Sequence, residues 1–322
     1  MTAQLTAHPL ACAAGIDVGQ RFLDIGLAPS GRTFRVPNAA DGITAIVKRL
    51  TQAGVGRVVL EAIGPYAQRL IAALSVAGFE VGVVNPRRIK AFRDAEGRRA
   101  KTDRLDARLI ARFALAMTDA IRPLPSADQL ALRALSTRRR QLTEMNAMEK
   151  TRLKQAAEPL LLDSHRATIA DLTHQCALLE AELARRIAGD DELARTLKIL
   201  KSIPGIGERV ATVLVTDLPE LGRSDRKAIA SLAGLAPHIS QSGNAPPRAA
   251  IAGGRPCVRT ALYMAALVAS RHHPPMKTAY LSLREQGKPA KVALIAVARR
   301  LLVTANALVK ANQSWGPDAK NT

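Results

Sequence analysis

The chain has 322 residues, 48% of them hydrophobic, and its 47 Lys+Arg against 27 Asp+Glu leave a formal net charge of +20. That length predicts about two domains with real cores, and the charge points to nucleic acid or an anionic surface as partner. Aromatic residues, at 3%, argue against a single-strand binder built on base stacking, and three scattered cysteines (Cys12, Cys176, Cys257) form no zinc spacing and no disulfide framework.

The start, Met1 to Ala14, lacks the basic region and long apolar core of a signal peptide. No uncharged apolar run reaches about 18 residues, so no membrane span or membrane partner is expected. The expected location is the cytoplasm, in association with the nucleoid.

Ala13 to Gly19 reads as a short buried strand carrying Asp17. Phe22 to Leu27 follows, then a Pro29-Ser-Gly31 turn and Thr33 to Val36, which together predict an antiparallel meander. Ala40 to Leu50 has helical periodicity. Gly56 to Ala62 is a further buried strand with Glu61 near its end, Tyr66 to Ala77 is helical, and Glu80 to Asn85 is another strand. A mixed sheet flanked by helices is the predicted architecture.

Arg98 to Arg112 follows as a basic helix with two carboxylates, Asp103 and Asp106. Between Asn85 and Arg112 there are ten Lys/Arg against four Asp/Glu. Positions i and i+3 share a helix face, so both carboxylates can point the same way. A lone pair of this kind is also what a solvated, salt-bridged helix shows. Asp17 and Glu61 change the balance. An acid at the end of an apolar strand is costly to bury unless it is paired or binds metal. Asp17, Glu61, Asp103 and Asp106 together could hold two Mg²⁺ ions (Mn²⁺ being the alternative) for phosphodiester displacement. Arg87, Arg88, Arg98, Arg99 and Lys101 sit where phosphates would lie.

Arg122-Pro-Leu-Pro-Ser126 marks a boundary, and Ser126 or Asp128 is placed to cap the next helix. Gln129 to Gln155 is rich in helix formers, and Pro159 breaks the pattern. Ile169, Leu172, Cys176, Leu179 and Leu183 then recur at spacings of three and four, a short coiled-coil-like seam. It serves equally a helical hairpin packed on itself or a dimer seam.

In Leu197 to Leu214, two helical patterns flank Pro204-Gly-Ile-Gly207. A helix precedes the glycines, so they are not a dinucleotide fingerprint. A helix-hairpin-helix unit is expected instead, with Gly205 and Gly207 letting backbone N–H groups approach a phosphate. Ile239 to Arg248 reads as a loop containing Ser240, Ser242 and Gly243. A serine needs a base or a metal for activation, and His238 is a weak candidate base. Gly253-Gly-Arg255 precedes an apolar helix from Thr260 to Ser270. Val292 to Val303 is helical, and the polar tail from residue 313 is expected to be disordered.

Gly15-Ile-Asp-Val-Gly19, Glu61 followed by Gly64 and Tyr66, Val84-Asn-Pro86 and Lys101-Thr-Asp-Arg-Leu-Asp-Ala-Arg108 resemble the RuvC-like domain of the DEDD transposases of bacterial insertion sequences. These form the insertion-sequence one-ten family, related to the Piv-type invertases. Ile63 stands where a small polar residue is usual. Gly234-Leu-Ala-Pro237, Ser242-Gly243, Gly253-Gly-Arg255 and Val258 to Ala266 resemble the family's transposase domain, in its Gly-Gly-Arg subgroup. Pro246-Pro247-Arg248-Ala249 occupies the place of the usual Arg-Gly pair.

The resemblance implies α/β plus all-α organisation. An RNase H-like (RuvC-like) domain spans 1–122, a helical coiled-coil-like linker 123–192 and a helical transposase domain 193–312, before the tail 313–322. It implies metal-dependent recombination of DNA with Asp17, Glu61, Asp103 and Asp106 as the acidic set and Ser242 as nucleophile. Arg248 or Arg255 would neutralise phosphate charge. It also implies a bridge RNA. Recombination must hold two duplexes and cut four strands with one candidate serine per chain. Self-association to a dimer or tetramer is therefore expected, through the helix from Arg133 to Leu183. The alternatives are a metal-dependent junction resolvase with water as nucleophile and a non-catalytic nucleic-acid-binding protein.

Overall fold

A computed structural model describes residues 12–61, 65–97, 103–117, 122–123, 126–240 and 248–316. It divides into two compact units, Met1–Pro125 and Ser126–Thr322.

The first unit is a six-stranded mixed sheet with helices on both faces. Its elements are β1 (Ala13–Val18), β2 (Phe22–Ala28), β3 (Thr33–Pro37), α1 (Ala40–Gln52), β4 (Arg57–Glu61), a 3-10 turn (Pro65–Ala67), α2 (Gln68–Val76), β5 (Glu80–Val84), α3 (Pro86–Ala95), α4 (Asp103–Ala116) and β6 (Arg122–Pro123). The spatial order is β3-β2-β1-β4-β5-β6. The first three strands form the antiparallel meander expected from their turns, while β4 and β5 join parallel to β1. The short β6, in a stretch whose prolines signal only a boundary, pairs antiparallel to β5.

Strand alternation divides the sheet's side chains between two cores. Ile16, Ile25, Val58 and Leu60 pack with Ile43, Ile46 and Leu50 of α1 and with Leu70 and Leu74 of α2. On the other face Ala13, Val59 and Val84 meet Ile89, Leu109, Ile110 and Phe113 of α3 and α4. Phe92 and Phe113 meet edge-to-face at 5.5 Å, closing α3 on α4.

The second unit is helical apart from one pair of strands. α5 (Ala127–Leu153) and α6 (Pro159–Ala188) are followed by α7 (Asp191–Ser202), α8 (Glu208–Asp217), α9 (Arg226–Leu232), β7 (Pro237–Ser240), β8 (Arg248–Ile251), α10 (Pro256–His272), α11 (Pro274–Glu285) and α12 (Ala290–Ala311). Ser126 caps α5, its Oγ accepting from Gln129 N–H at 3.1 Å. Pro159 opens α6, where its missing N–H costs nothing.

The α6 seam faces α5. Asn146 donates to Thr173 at 2.9 Å and Arg139 to Glu180 at 3.0 Å, while Leu172 and Leu183 are buried. The apolar spacing thus builds a helical hairpin. Leu160, Leu161 and Leu178 remain on its outside, 52–76% exposed.

α12 is long and apolar enough to cross a membrane by length and composition. Ten of its residues are buried, and Val297, Leu301 and Leu308 lie in the core formed with α7, α8 and α10. The tail also differs from expectation between residues 313 and 316. Trp315 packs on this core, donates its N–H to Ser202 Oγ at 2.8 Å and meets the His273 ring edge-on at 4.9 Å.

Candidate active site

Two glycines determine how close α4 comes to the sheet. Gly15 and Gly26 are cross-strand partners. A Cβ on Gly15 would stand 2.2 Å from the Ala111 nitrogen, and one on Gly26 would stand 2.6 Å from Ala107 backbone atoms. No side chain fits there, so the helix backbone rests directly on β1 and β2. Ala107 and Ala111 are correspondingly small and fully buried.

That contact fixes which face the acids share. Asp17 and Asp24 are two residues from these glycines, so alternation puts them on the α4 side. Ile16 pairs with Leu60 in the parallel register. Asp17 and Glu61 therefore follow one another's level at the ends of neighbouring parallel strands. Glu61, two residues after Val59, is on the same face. Chain connections leave β1 and β4 in opposite directions along the sheet, and the carboxyl ends of strands at such a switch point are a usual ligand position. Asn38 ties the loops there together, donating to the carbonyls of Gly19 at 2.9 Å and Tyr66 at 3.1 Å.

Asp17 and Glu61 are half-buried and both engaged in interactions. Asp106, only 6% exposed, accepts from Arg93 Nη2 of α3 at 2.6 Å. Asp103 is the first residue of α4, and its side chain lies outside the described residues. Among the described residues no three carboxylate, imidazole or thiol groups gather closely enough to hold a metal. The oxygen-only donors fit a hard cation in type. Arg93 occupies Oδ1 of Asp106, and this pairing leaves Oδ2 as the oxygen that could face an ion.

Sequence reading missed Asp24. It is the cross-strand partner of Asp17, is 3% exposed, and receives Arg35 in a fork, with Nη2 to Oδ2 at 2.7 Å. Its alternation with Leu23 and Ile25 is the signal that marks it as a buried acid on the Asp17 face. Of the expected phosphate-binding residues, Arg87 and Arg88 are exposed in the first turn of α3, which Asn85 caps by accepting from Arg87 N–H at 2.9 Å. Arg98, Arg99 and Lys101 lie outside the described residues.

In the second unit the expected loop is partly a two-stranded sheet. Ser240 and Arg248 pair at its open end, so Ser242, Gly243, Pro246 and Pro247 fall in the connection 241–247, outside the described residues. The backbone of Arg248 is described and its side chain is not. The Gly253-Gly-Arg255 signature has a packing reason. Gly254, at φ +64°, presses on Gly234, at φ +70°, where a Cβ would meet the Gly234 nitrogen at 2.1 Å. Arg259 Nη1 holds the Gly253 carbonyl at 2.9 Å. Arg255 forks onto Glu220 at 2.5 and 2.6 Å, a partner sequence reading did not foresee.

The turn between α7 and α8 treats its glycines differently. Gly205, at φ +99°, lies against Ala265 and Ala269, so packing accounts for it. Gly207 is the residue before α8, and a Cβ on it would meet nothing within 4 Å, so packing does not account for it.

Comparison with known proteins identifies the family. A DEDD transposase family, described as Transposase, matches residues 14–161, and a family described as Transposase IS116/IS110/IS902 family matches residues 197–281. The chain belongs to this transposase family. The transposase is also 29% identical over 264 residues to the pilin gene-inverting proteins of Moraxella bovis and Moraxella lacunata, covering 80% of this chain and 81% of each relative. A solved structure, T. thermophilus RuvC in complex with Holliday junction substrate, is 18% identical, with 35% of this chain and 99% of that chain covered and a TM-score of 0.28. As a member of the family the chain is an enzyme of DNA recombination.

Proposed function

We propose that this transposase cuts and rejoins DNA through a serine–phosphate intermediate, using divalent cations held by Asp17, Glu61, Asp103 and Asp106. The observation that carries the reading is the juxtaposition at the sheet's switch point. Asp17 and Glu61 end neighbouring parallel strands on the face covered by α4, the helix that begins Asp103-x-x-Asp106. The strand order and these acids support an RNase H-like domain over 1–122. Residues 193–312 supply the serine, separated from that domain in sequence by the helical 123–192. The Gly-Gly-Arg subgroup follows from Gly253-Gly-Arg255.

A bound Mg²⁺ pair supplies charge neutralisation and lowers the pKa of an oxygen nucleophile. Ser242 Oγ forms a bond to phosphorus as the bond from phosphorus to a deoxyribose oxygen breaks, and the serine proton ends on the released hydroxyl. The reverse step rejoins the strand and frees the serine. One phosphodiester bond replaces another, so no nucleotide cofactor is needed. Arg255 serves the developing phosphate charge once Glu220 releases it. Arg87 and Arg88 contact backbone phosphates, and Gly207 opens the α8 N-terminus to another in a helix-hairpin-helix. A bridge RNA beside DNA rests on the family resemblance, and the +20 charge permits it. The exposed leucines outside the α5–α6 hairpin support dimers or tetramers, since two duplexes must be held together.

The test is a covalent protein–DNA adduct formed on element-end DNA and retained after denaturation. It should need Mg²⁺ and vanish with chelator. Ser242→Ala should bind nucleic acid and form no adduct, whereas Ser240→Ala should form it. Cleavage without an adduct would instead favour a resolvase with water as nucleophile, and an adduct at another residue defeats the assignment.

A further inference from the structure

In the second unit a cavity of about 280 Å³ opens among α10, α11 and α12. Its uncharged lining is Leu267, Leu281 and Leu294 with Ser270 and Tyr280. Its two charged lining residues, Arg271 and Lys277, are both exposed cations whose side chains make no hydrogen bond or ion pair among the described residues. No acid lines it. Across residues 256–311 there are nine Lys/Arg and one acid, Glu285, a balance that favours an anionic ligand.

The apolar lining narrows the class. A phosphate alone, or a duplex backbone, is satisfied by cations and gains nothing from three leucines and a tyrosine. Leu281, 46% exposed beside the cations, gives an apolar ligand body a surface to bury. An anion with a flat apolar body, at about the lower size limit of ligand pockets, is one nucleotide taken out of its stack.

We propose that this cavity receives a single unstacked nucleotide of a nucleic-acid strand, with the phosphate on Arg271 and Lys277 and the base on Leu267, Leu281 and Tyr280. One such pocket is compatible with an aromatic content of 3%, because it needs no run of stacking rings. The inference rests on the nucleic-acid reading above but not on the serine or the carboxylates.

The experiment uses the full chain and a single-stranded oligonucleotide carrying one 2-aminopurine. Binding is followed by anisotropy and by 2-aminopurine fluorescence, with duplex of the same sequence as comparison. Combined Arg271→Ala and Lys277→Ala should weaken single-strand binding about tenfold and flatten its salt slope by about 1.4, two phosphate-neutralising charges at about 0.7 each. Leu281→Ala, an exposed truncation that the fold tolerates, should weaken the single strand about fivefold, abolish the fluorescence change and leave duplex affinity intact. Unchanged binding in the charge variant overturns the proposal, as does competition by inorganic phosphate equal to that of a mononucleotide. If the wild-type chain binds no nucleic acid, the parent reading fails as well. If it binds and the variants bind equally, only this pocket fails.

Discussion

The two units solve one problem, close approach of backbones, in two ways. In the first, Gly15 and Gly26 sit at ordinary strand dihedrals and are needed only for space, because α4 lies on them. In the second, Gly234, Gly253 and Gly254 are needed for left-handed φ, and Gly234 and Gly254 for space as well. The units also differ in how they bury polar groups. Asp24 and Asp106 of the first are neutralised by arginines. Asp217 of the second accepts from the hydroxyls of Ser136 at 2.8 Å and Thr216 at 2.9 Å, and His273 has both ring nitrogens without a hydrogen bond. The first unit keeps charge beside its acidic face, and the second holds its buried histidine neutral.

The largest effect expected from this difference is chemical. Asp17→Asn should reduce strand cleavage by about a thousandfold or more, the scale of several kcal/mol of lost charge stabilisation. Its thermal midpoint should stay near wild type. Cleavage within tenfold of wild type would remove Asp17 from the catalytic set and leave the α4 contact as mere packing.

The glycine comparison is broken or sharpened next. Gly254→Ala should cost about 3 kcal/mol, combining overpacking against Gly234 with left-handed strain. Gly15→Ala should cost about 2 kcal/mol from overpacking alone. Gly207→Ala, with open space and φ −83°, should change stability by less than about 0.5 kcal/mol. Equal melting shifts for all three would show that the backbones relax freely around an added methyl.

Much of this frame is legible in the sequence because turns and alternation are local signals. Pro29-Ser-Gly31 and the apolar runs define the meander, and Asp17 and Glu61 stand out as acids at apolar strand ends. What is not legible depends on partners distant in sequence. Arg93 faces Asp106 and Arg255 faces Glu220 only because helices pack that way. The local pattern at Gly205 suggests phosphate approach, but α10, sixty residues later, gives this glycine a packing reason. The β7–β8 pair is hidden because Pro246-Pro247 and Ser242-Gly243 signal only a loop. Trp315 is lost in a polar tail, where one partly buried ring has no periodicity to announce it.

The charge comparison gives a smaller effect. Arg35→Ala leaves Asp24, 3% exposed, without its forked partner. Because Arg35 is itself 39% exposed and partly screened, the loss should be about 2 kcal/mol rather than the full cost of an unpaired buried ion. Asp24→Asn in the same chain should recover part of it, and chemical denaturation of the four chains closes the cycle. No recovery would mean that Arg35 acts mainly by stacking on Phe22, 5.4 Å away.

The smallest effect tests the neutral histidine of the second unit. Burial pushes the His273 imidazole below its usual pKa of 6.5, and the neighbouring Arg300 pushes it further the same way. The folded state therefore favours the neutral ring. Its contribution is fully present above about pH 6.5 and is lost as pH falls through the lower folded value, where protonation must accompany unfolding. A loss of stability is therefore expected as pH falls from 7 to 5. Trp315 is the chain's one tryptophan and meets this ring, so its emission reports the event directly. Acidification should lower the thermal midpoint and shift Trp315 emission to the red, and His273→Phe should flatten both responses. A pH response that persists in His273→Phe would assign the acid sensitivity to another group and leave the buried imidazole without consequence for stability.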